Sequence, residues 1–119
     1  MTTDKTGAPT TVSAGNGQFT IAVDGHTVGR AAFVDHDDQR IFHHTEVDDA
    51  YEGRGLASIL VGEALTQTRT EGRRIVAVCP MVAAYIDKHH DFDDAVDPVT
   101  AGTEQVLERG RGALVGDDR

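Results

Sequence analysis

The stretch from Phe42 to Ser58 (Phe-His-His-Thr-Glu-Val-Asp-Asp-Ala-Tyr-Glu-Gly-Arg-Gly-Leu-Ala-Ser) constrains this chain more than any other. An apolar and β-branched run reaching Val47 meets the turn-forming Asp48-Asp49, then Glu52-Gly53-Arg54-Gly55, and then a long periodic apolar segment from Leu56. The order is strand, glycine loop, helix start. Glycines at 53 and 55 carry no Cβ, so the backbone can turn tightly and bring its N–H groups close to a ligand. The first helical N–H groups and the positive end of the helix dipole point the same way, and Arg54 adds charge. A phosphate or pyrophosphate is the natural guest. A glycine-rich turn with nothing bound fits the same letters, so the rest of the chain has to decide.

At 119 residues with 39% hydrophobic content, the chain suits one domain with a small core that folds without disulfides. Its one cysteine excludes an internal disulfide. No apolar run approaches the ~18 residues that span a bilayer. Met1 to Gly17 is polar, without the apolar core of a signal peptide, which points to a cytoplasmic protein. A net charge of −9 argues against nucleic acid or an anionic membrane as partner, because those need clustered Lys and Arg. An acidic surface is compatible with a basic or amine-bearing partner, although net charge bears on simple solubility before specificity.

Residues 1–17, rich in Thr, Gly, Ala and Ser without periodicity, read as a disordered or loose arm. Gln18 to Val23 alternates apolar residues at 19, 21 and 23 and ends in the turn signal Asp24-Gly25, which is a half-buried strand. His26 to Val34 reads as the returning strand and Arg40 to Val47 as a third, forming an antiparallel meander. Leu56, Ile59, Leu60, Ala64 and Leu65 recur at helical spacing, so a helix runs from about Gly55 to Thr70 and stops at Glu71-Gly72. Gly62 inside it fits either a close approach to a neighbouring strand or a tolerated glycine. Arg73 to Val78 fits a buried central strand, and Pro80 opens a second helix to about His89 with Cys79 at its N-cap. Two strands separated by a helix favour a parallel pair, so the sheet is mixed. Thr103 to Arg109 is a short helix candidate, and Gly110 to Arg119 looks frayed. The domain proper is 18–97, with 98–119 as an extension.

The ordered set His44-Thr45-Glu46-Val47, Tyr51-Glu52-Gly53-Arg54-Gly55-Leu56-Ala57-Ser58, Cys79-Pro80, Tyr85-Ile86 and Lys88-His89 resembles the GNAT superfamily of acetyl-CoA-dependent N-acetyltransferases. Within it, the chain is similar to the minimal, YjdJ-type, single-domain group. The resemblance covers roughly residues 18 to 93. The superfamily loop pattern is Gln or Arg, two residues, Gly, one residue, then Gly or Ala. Gly55 and Ala57 match it, while Glu52 replaces the first residue. The resemblance implies an α+β fold: a mixed, mainly antiparallel sheet with splayed central strands and two main helices. It implies that acetyl-CoA is the co-substrate, with its pyrophosphate on the N–H groups of Gly53, Arg54, Gly55, Leu56, Ala57 and Ser58. It further implies that the pantetheine arm lies where the strand ending at Val47 splays from the strand Ile75 to Val78, pairing near Val47. The acceptor, a small-molecule or protein amine, would meet a shallow site, because the helices that build a lid in larger members are not evident.

Acetyl transfer to an amine needs a neutral nucleophile, a polarised carbonyl and a proton donor for the departing thiolate. Cys79, at a helix N-terminus, is a candidate nucleophile or proton-transfer group, and equally a small buried apolar residue. Alternation puts His44 and Glu46 on one side of their strand, as base and orienter, with His43 on the other. Tyr85 stands where the superfamily often carries the tyrosine that protonates the thiolate; a helix aromatic packed on the sheet is the rival reading. Adjacent His43-His44 and His89-His90 lack ligand spacing, so no metal is expected. Two rivals to the enzyme reading are a non-catalytic coenzyme-A-binding or regulatory module and a small interaction domain whose loop binds no nucleotide.

Overall fold

The computed structural model describes the backbone of residues 2–3 and 6–116 and the side chains of residues 6–108. The meander follows from its turns. Strand β3 (Gln18–Val23) returns as β4 (His26–His36) through Asp24 and Gly25, at φ 51° and 82°, the paired left-handed conformations of a tight hairpin matched to strand twist. Strand β5 (Gln39–Val47) follows through Asp37, at φ 54°. Helix α1 (Leu56–Thr70), strand β6 (Arg74–Ala77) and helix α2 (Pro80–Lys88) come next. The short strand β7 (Val96–Asp97) and helix α3 (Ala101–Gly116) complete the chain. With β1 (Thr2–Thr3) and β2 (Pro9–Gly15), the described strands form one seven-stranded sheet in sequential order. It is antiparallel from β1 to β5 and parallel from β5 to β7. This is the mixed, mainly antiparallel α+β architecture.

Two terminal expectations change. Pro9–Gly15 is not a loose arm but a strand, paired with β3 from Thr10↔Val23 to Gly15↔Gln18. Its Thr-Thr-Val run has strand propensity, and Asn16-Gly17, with Gly17 at φ 75°, closes the hairpin. Residues 1, 4 and 5 of the expected arm lie outside the described residues. At the other end, α3 is longer than the short helix expected at Thr103–Arg109 and runs into the stretch expected to be frayed; residues 117–119 lie outside the described residues.

Two layers cover the sheet. On one face α1 buries Leu56, Leu60, Val61, Ala64 and Leu65 against Phe19, Phe33 and Phe42, whose rings lie 5.3–6.3 Å apart. On the other, Leu107 of α3 packs on Ile41 and Val76. Arg40 is buried in the first layer, its guanidinium 4.3 Å over the Phe33 ring and bonded to Asp35 and Glu71. Burial alone would lower its pKa, but the two carboxylates outweigh that and raise it.

The sheet opens between β5 and β6. Their pairing spans only Gln39↔Arg74 to Phe42↔Ala77. There the Phe42 carbonyl accepts the N–H groups of both Val78 and Cys79, at 3.0 and 2.9 Å, and the ladder ends. The last residues of β5 continue, paired with β4 alone.

Candidate active site

Beyond Val47 the chain makes a 3-10 turn at Asp49–Tyr51 and enters the glycine loop. Gly53 and Gly55 take φ 81° and 79°, and Gly55 caps α1. The first helical bond runs from the Ile59 N–H to the Gly55 carbonyl at 3.2 Å, so the N–H groups of Leu56, Ala57 and Ser58 stand ahead of it at the positive end of the dipole. A cavity of about 290 Å³ opens over this turn and takes in Val47, Gly53, Gly55, Leu56, Ala57 and Ser58. Arg54 is the expected cofactor-binding residue outside its lining; its guanidinium lies 4.8 Å over the Tyr51 ring.

A second cavity of about 170 Å³ between α1 and α2 shares Ala57, Ser58 and Met81 with the first and reaches Tyr85, Lys88 and His89. Sharing these residues, the two make one groove, from the glycine turn to the C-terminal end of α2. Tyr85 stacks on His89 at 4.3 Å. Its pKa is raised, first by burial and then by the negative charges of Asp91 and Glu63, so the phenol holds its proton. The close approach expected at Gly62 exists, but to Tyr85 of α2 rather than to a strand: a Cβ at 62 would lie 2.6 Å from the Tyr85 hydroxyl.

Cys79 occupies the N-cap of α2, with Pro80 at the first helical position. It is 4% exposed, at the point where β5 and β6 part, and its thiol lies 3.5 Å from the Thr45 hydroxyl across the opening. Sequence reading missed Thr45, which had no distinguishing signal of its own.

His44 and Glu46 lie on the other face. A bulge explains why: Ala32 pairs with His44 but Phe33 pairs with Phe42, so His43 is an extra residue in β5. The bulge exposes His43 together with His44, rather than sending His43 to the side opposite, and turns Thr45 and Val47 toward the groove. His44 Nε2 is 3.4 Å from Glu46 Oε2, and Arg30 Nε donates to Glu46 Oε1 at 2.6 Å. Arg30, paired directly across from Glu46, holds that carboxyl below the usual carboxylate range, with a smaller contribution from His44. Arg30 was also missed; the hairpin register that pairs it with Glu46 would have revealed it. The four candidate catalytic residues therefore divide. Cys79 and Tyr85 belong to the α1 and α2 side of the sheet, and His44 and Glu46 to the opposite face of β5. Among the described residues no group of three or more His, Cys, Asp or Glu side chains is placed to hold a metal ion, and no helix is long and apolar enough to cross a membrane.

A mixed sheet split between two parallel strands, with a left-handed glycine turn at a helix N-terminus beside the split, defines an α+β protein of the N-acetyltransferase architecture. Residues 18–95 match the model of the GCN5-related N-acetyl-transferase family, and the chain belongs to that family. Among solved structures, the solution structure of a "GCN5-like putative N-acetyltransferase" from Staphylococcus aureus superposes with a TM-score of 0.58 at 18% identity, covering 76% of this chain and 91% of that one. At that identity the likeness speaks for the fold alone. No curated protein matches the chain.

Proposed function

We propose that this protein is an acetyl-CoA-dependent N-acetyltransferase that acetylates an amine by direct attack. One observation carries the reading: the glycine turn and the α1 N-terminus open into a groove that runs between α1 and α2 to Tyr85, beside the opening between β5 and β6. The turn fits a diphosphate. It offers successive N–H donors, and a Cβ on Gly53 would meet no atom within 4 Å, so a ligand can approach the backbone. The N–H groups from Gly53 to Ser58 would hold the pyrophosphate, and Val47 would line the pantetheine arm. When bound, acetyl-CoA supplies the activated acyl group.

The division of candidates across β5 suits two proton transfers. On this reading the acyl carbon would lie at the strand opening, with Tyr85 on one side of the sheet and His44 on the other. On one face His44, oriented by Glu46, takes the proton that the acceptor nitrogen loses as it bonds to the acetyl carbon. As the carbon–sulfur bond breaks, the sulfur keeps the electron pair and Tyr85 gives it a proton, which solvent then restores. Cys79, buried and hydrogen-bonded to Thr45, serves here as part of the wall rather than as a nucleophile.

Calorimetric titration with acetyl-CoA and with free coenzyme A tests the binding step, and thiol release with a panel of amines and polyamines tests turnover. Micromolar binding with amine-dependent thiol release is the expected result. Binding without turnover on any amine would leave a coenzyme-A-binding module, and absence of binding at millimolar ligand would sink both readings. Cys79→Ala should retain turnover; its loss with coenzyme A affinity intact would replace direct attack by an acetyl-Cys79 route.

A further inference from the structure

We infer that Gly62 is a positioning residue: the side chain missing from this helix position is the seat of the Tyr85 hydroxyl, and so sets where that O–H stands in the groove. The inference rests on the reading of the groove as an acetyl-CoA site. Glycine is among the poorest helix formers, and Gly62 lies inside α1 without the positive φ that explains Gly53 and Gly55. What Gly62 provides instead is room. A Cβ there would lie 2.6 Å from Tyr85 Oη and 3.3 Å from Cζ, with the ring's Cε2 at 3.8 Å. Those three side-chain atoms are the nearest contacts, so the space above Gly62 belongs to this tyrosine.

The rest of Tyr85 is held from its own side, by the stacked His89 and by Phe92 at 6.4 Å. Gly62 therefore sets how deep the phenol sits against α1. The charged and titratable groups around it are Glu63 on α1, Lys88 at the end of α2, His89 at its C-cap and Asp91 in the turn that follows. A phenol that leaves its seat gives up the position against α1 that Gly62 allows it.

The perturbation is gentle, because the atom that must move is the far end of a side chain rather than backbone. Gly62→Ala should keep or raise the thermal midpoint, leave acetyl-CoA affinity close to that of the parent, and lower kcat by roughly tenfold or more, the scale of a misplaced general acid. Tyr85→Phe should lower kcat similarly, and Gly62→Ala should add nothing further when combined with Tyr85→Phe. Full kcat in Gly62→Ala, or an equal loss in both backgrounds, overturns the assignment. A second readout needs neither ligand nor acceptor. The chain has two tyrosines, so a Tyr51→Phe background leaves Tyr85 as the one phenol to titrate by phenolate absorbance. Adding Gly62→Ala there should move the midpoint down toward that of free tyrosine, and an unmoved midpoint refutes the seat. If the parent fails to bind acetyl-CoA, the functional reading falls while the titration still decides the role of Gly62.

Discussion

Gly53→Ala tests the glycine cradle with the least disturbance. At φ 81° an alanine is strained, yet its Cβ would meet nothing within 4 Å, so the penalty is purely conformational, about 1 kcal/mol. That energy must surface in one of two places. If the turn keeps its shape, the free protein loses about 1 kcal/mol, a drop of ~4 °C in thermal midpoint, and coenzyme A binds as before. If the turn relaxes, stability is kept and the ligand must restore the shape, weakening binding about fivefold. The two losses sum to the same quantity in either case. Asparagine tolerates the left-handed region, so Gly53→Asn should recover most of whichever loss alanine shows. Thermal denaturation with and without coenzyme A, alongside calorimetry, measures both terms. If alanine changes neither stability nor affinity, the left-handed turn is not the working conformation. If alanine and asparagine both weaken binding by more than ~100-fold, the Cβ is colliding with the ligand and strain is not the reason.

Arg40→Ala should destabilise the fold by about 3 kcal/mol, the lower end for breaking a buried ion pair, because Asp35 and Glu71 are 34% and 47% exposed and can rehydrate. A urea-derived loss below ~1 kcal/mol would show that the buried guanidinium is dispensable. Asp97 is held below the usual carboxylate range, first by Arg74 and then by Gln39. A depressed folded-state pKa gives stability that is present above the unfolded value of about 3.9 and is lost as pH falls through the folded value. Asp97→Asn should therefore flatten the stability profile below about pH 4; an unchanged acid limb would count against the Arg74 pairing. Arg30→Gln should raise the Glu46 carboxyl toward its ordinary value, followed by NMR titration of the Glu46 side chain, and no movement would mean that Arg30 does not set its charge.

How much of this was legible in the letters depended on how locally each feature is determined. The glycine turn was, because left-handed φ and free N–H groups at a helix start are properties of a few consecutive residues, and Gly53 and Gly55 adopt them. Strand β3 and helix α1 followed from apolar period, and β4 was read as the return from the Asp24-Gly25 turn. Strand β2 was passed over because Val12 is its one apolar residue packed on the core, too thin a pattern, although Asn16-Gly17 was a hairpin signal in plain view. The second layer was implicit in the adjacent buried pair Ile75-Val76, since a strand buried on both faces requires covering on both, and α3 supplies it. The bulge at His43 was not legible, and it rearranges the site. Strict alternation from the buried Phe42 would turn His44 and Glu46 toward α1, and Thr45 and Val47 away. One extra residue reverses that parity, so Val47 lines the groove, Thr45 meets Cys79, and His44 and Glu46 emerge beside Arg30 on the opposite face. Residue identity alone could nominate these candidates, but the pairing of β5 with β4 decides which of them can share a face.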